Sequence, residues 1–431
     1  MKTIDHKTDP PHSWMLWLEP ALVVLLAPVF LFPSPRRSIF FVFLPLIFVL
    51  HFIARRRLVE RNPANAPLCL LLLMVLVSLF ATNDINFSLP KIAGVLLGAA
   101  IFFTIINIVN SPRLLARGLG AFILGAIGLS VMGIMGAQWI SKVPVLGSVT
   151  AHLPVRIKGI PGAEEGFHPN AVAGGLILFL PLLVALLGSA RHGGLKRRFL
   201  VAVLASLFIT GGVLLLTQSR GGWFGLAMGL LLLFAWMCRW GKWLALAVFL
   251  AGTVVVLWLG PGKAGDTVMN SVGSTSSVVP SIEGRLEVWN RAMYGIADFP
   301  FTGMGMNTFR RVVHVLYPLF LTPPDVDIAN CHNQLLQTAL DLGIPGLVGY
   351  VALLGAAITM GILVWKRAEE SWIRASAQGL VCGIFAQQVF GITDAIALGA
   401  KVGIFFWIAL GLLAAMYQMI HWQNPPSHRG A

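Results

Sequence analysis

Three short segments combine residue types that could bind an anion and move a proton. The first is Thr217-Gln218-Ser219-Arg220-Gly221-Gly222-Trp223, which joins two apolar runs with almost no spare residues. Arg220 is thereby held at a membrane face, where a cation is costly without a partner or an aqueous cavity. Gly221 and Gly222 would let the backbone approach a ligand closely, and the next helix would offer N–H groups at its start. The plain alternative is an arginine reaching out to lipid headgroups. The second segment is Glu283-Gly284-Arg285-Leu286-Glu287-Val288-Trp289-Asn290-Arg291. Its spacing predicts an amphipathic helix over 285–296, with Leu286, Trp289, Met293 and Ile296 on one stripe. Arg285 and Arg291 suit bidentate phosphate binding. The plain alternative is a solvated face pairing Arg291 with Glu287 at i,i+4. The third segment is Cys331-His332-Asn333-Gln334. With Asn330 as cap, His332 falls in the first turn of a helix running to Gly343, where the positive helix end favours the neutral, basic imidazole. Such a group can take a proton from a hydroxyl, or it can simply bond a loop carbonyl.

Weaker signals accompany these. Gly166-Phe167-His168-Pro169-Asn170 leads into an apolar run, with Pro169 suited to a first turn. His168 or Asn170 could line a site, and capping would explain Asn170 equally well. Asp325-Val326-Asp327 has the form of a metal-binding acidic pair, although two loop aspartates are commonly just solvated. Cys69, Cys238, Cys331 and Cys382 show neither zinc-type nor disulfide-type spacing and read as packing residues. No P-loop, dinucleotide fingerprint or repeat is present.

The elements that must position these residues are membrane helices. Hydrophobic residues are 57% of the 431 positions and charged residues only 11%, against about 25% in a soluble domain. A soluble fold needs polar cover that this composition does not supply. Runs long enough to span, about 20 residues each, read as 15–33, 38–53, 66–81, 88–109, 114–137, 169–190, 199–217, 221–239, 241–260, 344–365, 375–395 and 399–420. The expectation is an all-α, polytopic protein of about twelve transmembrane helices. The first run has no small-residue cleavage site and is not read as a signal peptide. In a soluble protein the net charge of +14 would suggest nucleic acid, but here the basic residues cluster between apolar runs, so no nucleic-acid partner is expected. With both termini in the cytoplasm, 18 of the 31 Lys and Arg face inward and only Arg36, Arg37, Lys91, Arg220 and Lys401 occupy short outer connections. Two long outer loops follow, 138–168 and roughly 261–343. The second opens with Gly260-Pro261-Gly262, continues through a linker-like stretch from Ser271 to Ser281, and is large enough for a small subdomain. The chain thus divides into a membrane domain (1–260), a large outer loop (261–343) and a second membrane domain (344–431).

These motifs together resemble the O-antigen ligase and polymerase superfamily of bacterial envelope glycosyltransferases. The matching segments are HPNAVAGG at 168–175, TQSRGGWFG at 217–225, GRLEVWNRA at 284–292, TGMGMNTF at 302–309 and CHNQLLQTALDLGIPG at 331–346. The resemblance covers about 40% of the chain, and the N-terminal third matches only in hydropathy. It implies a lipid-linked-donor (GT-C-like) glycosyltransferase fold with one large, helix-containing periplasmic loop, in the bacterial inner membrane, acting on the periplasmic face. The implied donor is a glycan on undecaprenyl pyrophosphate. The implied acceptor is lipid A-core. No cofactor or metal is implied, and Asp325/Asp327 lies outside the pattern. Carried over by motif, Arg220 and Arg285 hold the donor pyrophosphate and His332 is the base. Arg291, Asn333 and His168 are further substrate-binding candidates.

Two kinds of rival stay open. One is a relative with another acceptor, a polymerase or a protein O-oligosaccharyltransferase. A single large loop holding Arg285 and His332 fits a ligase better, while Lys142, Arg156 and Lys158 in the 138–168 loop keep the polymerase open. The other is a secondary transporter or lipid flippase, which would be expected to show related halves and broken helices near the midplane.

Overall fold

Side-chain caps start several of the helices that build the protein. Asp84 accepts from the backbone N–H groups of Asn86 and Phe87, Ser219 from Gly222, and Asn333 from Leu335 and Leu336. The computed structural model describes residues 18–55, 60–161, 163–190, 195–259 and 282–423. Its helices are α1 (Leu18–Leu31), α2 (Leu44–Arg55), α3 (Asn65–Ala81), α4 (Ile85–Ile108), α5 (Pro112–Gly136), α6 (Pro144–Thr150), α7 (Pro169–Leu176), α8 (Leu180–Ser189), α9 (Arg197–Leu216), α10 (Arg220–Met237), α11 (Arg239–Leu259), α12 (Ile282–Asp298), α13 (Phe309–Leu316), α14 (Gln334–Arg367), α15 (Ser371–Phe390) and α16 (Ile404–Gln423). Among the described residues there is no strand, only two isolated β-bridges.

Every apolar run read from the sequence contains helix within its described part. Among the described residues, seven segments are long and apolar enough to cross a membrane: 85–108, 112–136, 169–189, 197–216, 220–237, 334–367 and 401–421. The linker-like stretch from Ser271 to Ser281 lies outside the described residues.

Small residues set how closely these helices pack. Gly221, Gly225 and Gly229 form one ridge of α10. A Cβ on Gly225 would stand 2.7 Å from the Ala386 carbonyl oxygen, and one on Gly229 would stand 2.6 Å from the Ala386 Cβ. On another face of α15, Gly379 and Gly383 meet Leu182 and Leu178, again at distances no Cβ tolerates. Helices in lipid gain little from hydrophobicity between them, so this backbone proximity and its dispersion contacts hold α15 between α8 and α10.

Several local expectations require correction. The run 375–395 is not helical to its end: α15 stops at Phe390, and the backbone of 391–394 turns to bond other elements. The run 344–365 starts earlier, because the helix beginning at Gln334 continues into it through a kink at Gly343 (φ 71, ψ 178). Pro345 follows, lacking an N–H, and the Ile344 N–H donates to the Pro300 carbonyl instead. The cap of this helix is Asn333 rather than Asn330, whose side chain instead accepts from the His332 N–H. His332 therefore precedes the helix, at φ 53, and the first-turn argument for its basicity does not apply.

The outer loop has its own core, in which Val288 and Ala292 of α12 pack with Met304, Phe309, Val313 and Ile328. The stripe read from the sequence is rotated from the buried one, since Leu286 and Met293 are about half exposed (49% and 54%) while Arg285, Val288 and Ala292 are buried. Ala292 and Gly295 carry too little apolar bulk to register in a hydrophobic pattern, yet they let that side of the helix dock.

Candidate active site

Four consecutive residues between α15 and α16 gather the site. The Gly391 carbonyl accepts from the Gln334 N–H at 2.7 Å. The Ile392 carbonyl accepts from Asn333 Nδ2 at 3.3 Å, and that of Thr393 from an Arg285 guanidinium nitrogen at 3.0 Å. Asp394 accepts from Asn170 Nδ2 at 2.9 Å and bonds His332 Nδ1 at 3.3 Å. The N-termini of α7, α12 and α14 thus meet one short loop. That of α10 joins them, for a Cβ on Gly221 would lie 2.9 Å from Thr393 Oγ1. Gly221 and Gly222 consequently bring α10 against protein, Gly222 facing Ala173, where the sequence suggested close approach to a ligand. Four helix N-termini add positive partial charge around Asp394.

Asp394 is buried. Burial by itself would raise its carboxyl pKa, but the His332 hydrogen bond and the charges of His332, His168 and Arg285 hold it well below the ordinary carboxylate range. An ionised Asp394 only accepts hydrogen bonds, so the proton between the pair sits on His332 Nδ1. In the neutral ring His332 Nε2 then carries the lone pair. The dyad has an orienting carboxylate, a ring held by it and one basic nitrogen.

The cations converge on the same loop. Arg285 is 2% exposed. Burial lowers its pKa, and Asp394 opposes the shift. Arg220 occupies the first turn of α10 and is half-buried. Lys142 arrives from the 138–168 loop. Its backbone N–H and that of Val143 donate to Gln218 Oε1, each at 2.7 Å, and its ammonium donates to the Gln218 carbonyl at 3.3 Å. Gln218 is held at φ 52, an uncommon conformation for a residue of its type. Burial and the charges of Arg220 and Arg285 push the Lys142 pKa down to about 8, with Asp394 acting in the other direction.

His332, Arg285, Arg220 and His168 therefore share one electrostatic site. His168 caps α7, its Nδ1 accepting from the Asn170 N–H at 3.2 Å. Asn170 is not a cap; its side chain goes to Asp394. Asn333 borders the site as the α14 cap. Arg291 is directed elsewhere: it donates to the Pro318 carbonyl, lies over Phe320 and stands 4.0 Å from Glu287. That is the i,i+4 pairing set against it in the sequence. Asp327 of the acidic pair is bound through both oxygens by Arg310.

Asp394 was missed by sequence reasoning because 375–395 read as one apolar run. The available signal was that it is the sole acidic residue after position 370. An ionisable group in so apolar a region is a functional candidate by default.

An O-antigen ligase family model matches residues 204–351, about a third of the chain. The matched region includes Arg220, Arg285 and His332, and excludes Lys142, His168 and Asp394. The match supports an O-antigen ligase-like superfamily relationship and, with it, a ligase- or polymerase-type glycosyltransferase activity at a membrane. A search of curated proteins returns no match.

Proposed function

We propose that this O-antigen ligase-like chain transfers a polysaccharide from undecaprenyl pyrophosphate to a hydroxyl of lipid A-core, on the periplasmic face of the bacterial inner membrane. One observation carries the reading: a His–Asp dyad, His332 with Asp394, shares its loop with Arg285 and its electrostatic field with Arg220. His332 Nε2 takes the proton of the acceptor hydroxyl. The oxygen attacks the anomeric carbon as the bond to the pyrophosphate breaks, and the pyrophosphate leaves with the electron pair. The anomeric centre inverts. Arg220 and Arg285 stabilise the charge that develops on the leaving group, and fixed cations near a dry membrane face act strongly. Asp394 is a positioning residue that sets the His332 tautomer. Asn333 and His168, which border the Asp394 loop, are proposed as further substrate contacts, while Arg291, proposed with them from the sequence, braces the loop subdomain.

The chain is proposed to cross the membrane about twelve times, with both termini inside and the 1–260, 261–343 and 344–431 divisions, in a GT-C-like arrangement. The site lies at helix ends rather than mid-span, which favours surface chemistry over transport. A polymerase remains the second reading, and the Lys142 contribution from the 138–168 loop is the observation in its favour.

Complementation separates these readings. Wild type in a ligase-deficient strain should restore long-chain lipopolysaccharide, whereas His332→Ala, Arg220→Ala and Arg285→Ala should leave polymer on the lipid carrier. A rescue seen only in a polymerase-deficient strain, where a single repeat sits on the core, would select the polymerase. Full activity of His332→Ala would remove the base assignment.

A further inference from the structure

We propose that Lys142 is a third diphosphate ligand of the active site, supplied by the 138–168 loop and acting with Arg220 and Arg285 on the leaving group. This inference rests on the anion-site reading above.

Two features of the geometry carry it. The main chain at Lys142 is pinned independently of its side chain, because Gln218 Oε1 accepts from both Lys142 and Val143 N–H groups. Gln218 immediately precedes Ser219 and Arg220, so this clamp sets the lysine beside the start of α10. The ammonium then folds onto the Gln218 carbonyl at 3.3 Å. An ammonium has three donors, so two remain for a ligand.

The charged neighbours acting on Lys142 are Arg220 from α10, Arg285 from α12 and Asp394 from the 391–394 turn. His168 and His332 act on that same carboxylate. Two cations against one anion make this a costly place for a half-buried lysine. A ligand with two negative charges reverses that cost, and a diphosphate diester has two ionised oxygens. Burial first, and then the charges of Arg220 and Arg285, work against the protonated ammonium, while Asp394 favours it. The recruitment also explains why Gln218 is held in a left-handed conformation: its side chain and carbonyl both serve Lys142.

The test uses the full-length chain in phosphatidylcholine nanodiscs, with inorganic pyrophosphate as the probe and its Kd as the readout. Lys142→Ala should weaken binding at least about tenfold, the loss expected for a charge-assisted hydrogen bond. Lys142→Arg should restore it. Raising the pH from near 7 to near 9.5 should weaken wild type more than Lys142→Arg, because the lysine loses its proton in that range and an arginine in its place does not. Arg220→Ala and Arg285→Ala run in parallel. If they lose pyrophosphate while Lys142→Ala binds like wild type, the Lys142 inference fails and the anion site stands. Pyrophosphate binding that none of the variants alters would sink the anion site itself. A Lys142 effect confined to retention of phosphatidylglycerol, with pyrophosphate affinity unchanged, would assign the lysine to a lipid headgroup and overturn the proposal.

Discussion

At the residue scale, the His332–Asp394 pair sets the sharpest expectations. Asp394→Asn preserves shape but presents the wrong group to Nδ1. Transfer in a single-turnover assay should fall by roughly 10²–10⁴, the usual worth of a positioned general base. Pyrophosphate affinity should hardly change, since Arg220 and Arg285 remain. A comparable loss in both would mean that Asp394 serves binding and not proton transfer. The pH dependence follows from the direction of the shift. The Asp394 pKa lies below its ordinary 3.8. A depressed carboxyl contributes stability that is complete above the ordinary value and lost as pH falls through the folded one. The difference in melting temperature between wild type and Asp394→Asn should therefore be level from neutrality to about pH 4 and narrow only below it. His332, Arg285 and Arg220 were legible in the sequence because each sits in a polar interruption between apolar runs. Asp394 was hidden inside such a run, and its partners lie 62 and 224 positions away.

At the element scale, two glycines decide where helices go. Gly343 has a backbone conformation open essentially to glycine alone, and a Cβ there would stand 2.5 Å from the Phe301 carbonyl oxygen. Gly343→Ala should destabilise the protein by roughly 1–3 kcal/mol and loosen the outer-loop subdomain first, as read by proteolysis of the 282–333 segment. Gly225→Leu should push α10 from α15, at a cost of roughly 1–3 kcal/mol or more, because the obstructing atoms are backbone. Thermal unfolding in detergent measures both, and wild-type melting of either variant would contradict the packing described. The TGMGMNTF segment illustrates what a motif alone does not reveal. Gly303, Gly305 and Asn307 all have positive φ, and Asn307 bonds Asp341 and the Phe87 carbonyl. It ties the outer loop to α4 and α14.

At the scale of the whole molecule, orientation and convergence belong together. In the proposed topology, the Lys and Arg distribution assigns the α9–α10 turn, the 138–168 loop, the large loop and the 391–400 connection to one side. The structure gathers residues from these same connections around Asp394. In intact cells, a membrane-impermeant maleimide should label Ser148→Cys, which is exposed, whereas Glu369→Cys should react only after permeabilisation. The reverse pattern would invert the topology and with it the periplasmic site.

The sequence by itself determined that the chain is helical and membrane-embedded, and which interruptions carry ionisable groups. Hydropathy and cap spacing are local properties, written over about 20 residues. Only the tertiary structure decided that Arg285 turns inward while Arg291 braces a surface, that His332 answers to Asp394 and not to a helix end, and that Lys142 joins them. Those outcomes depend on which face of each helix docks and on how closely small residues let backbones approach. The polar interruptions seen first as three separate segments become one site because four helix N-termini meet a single turn.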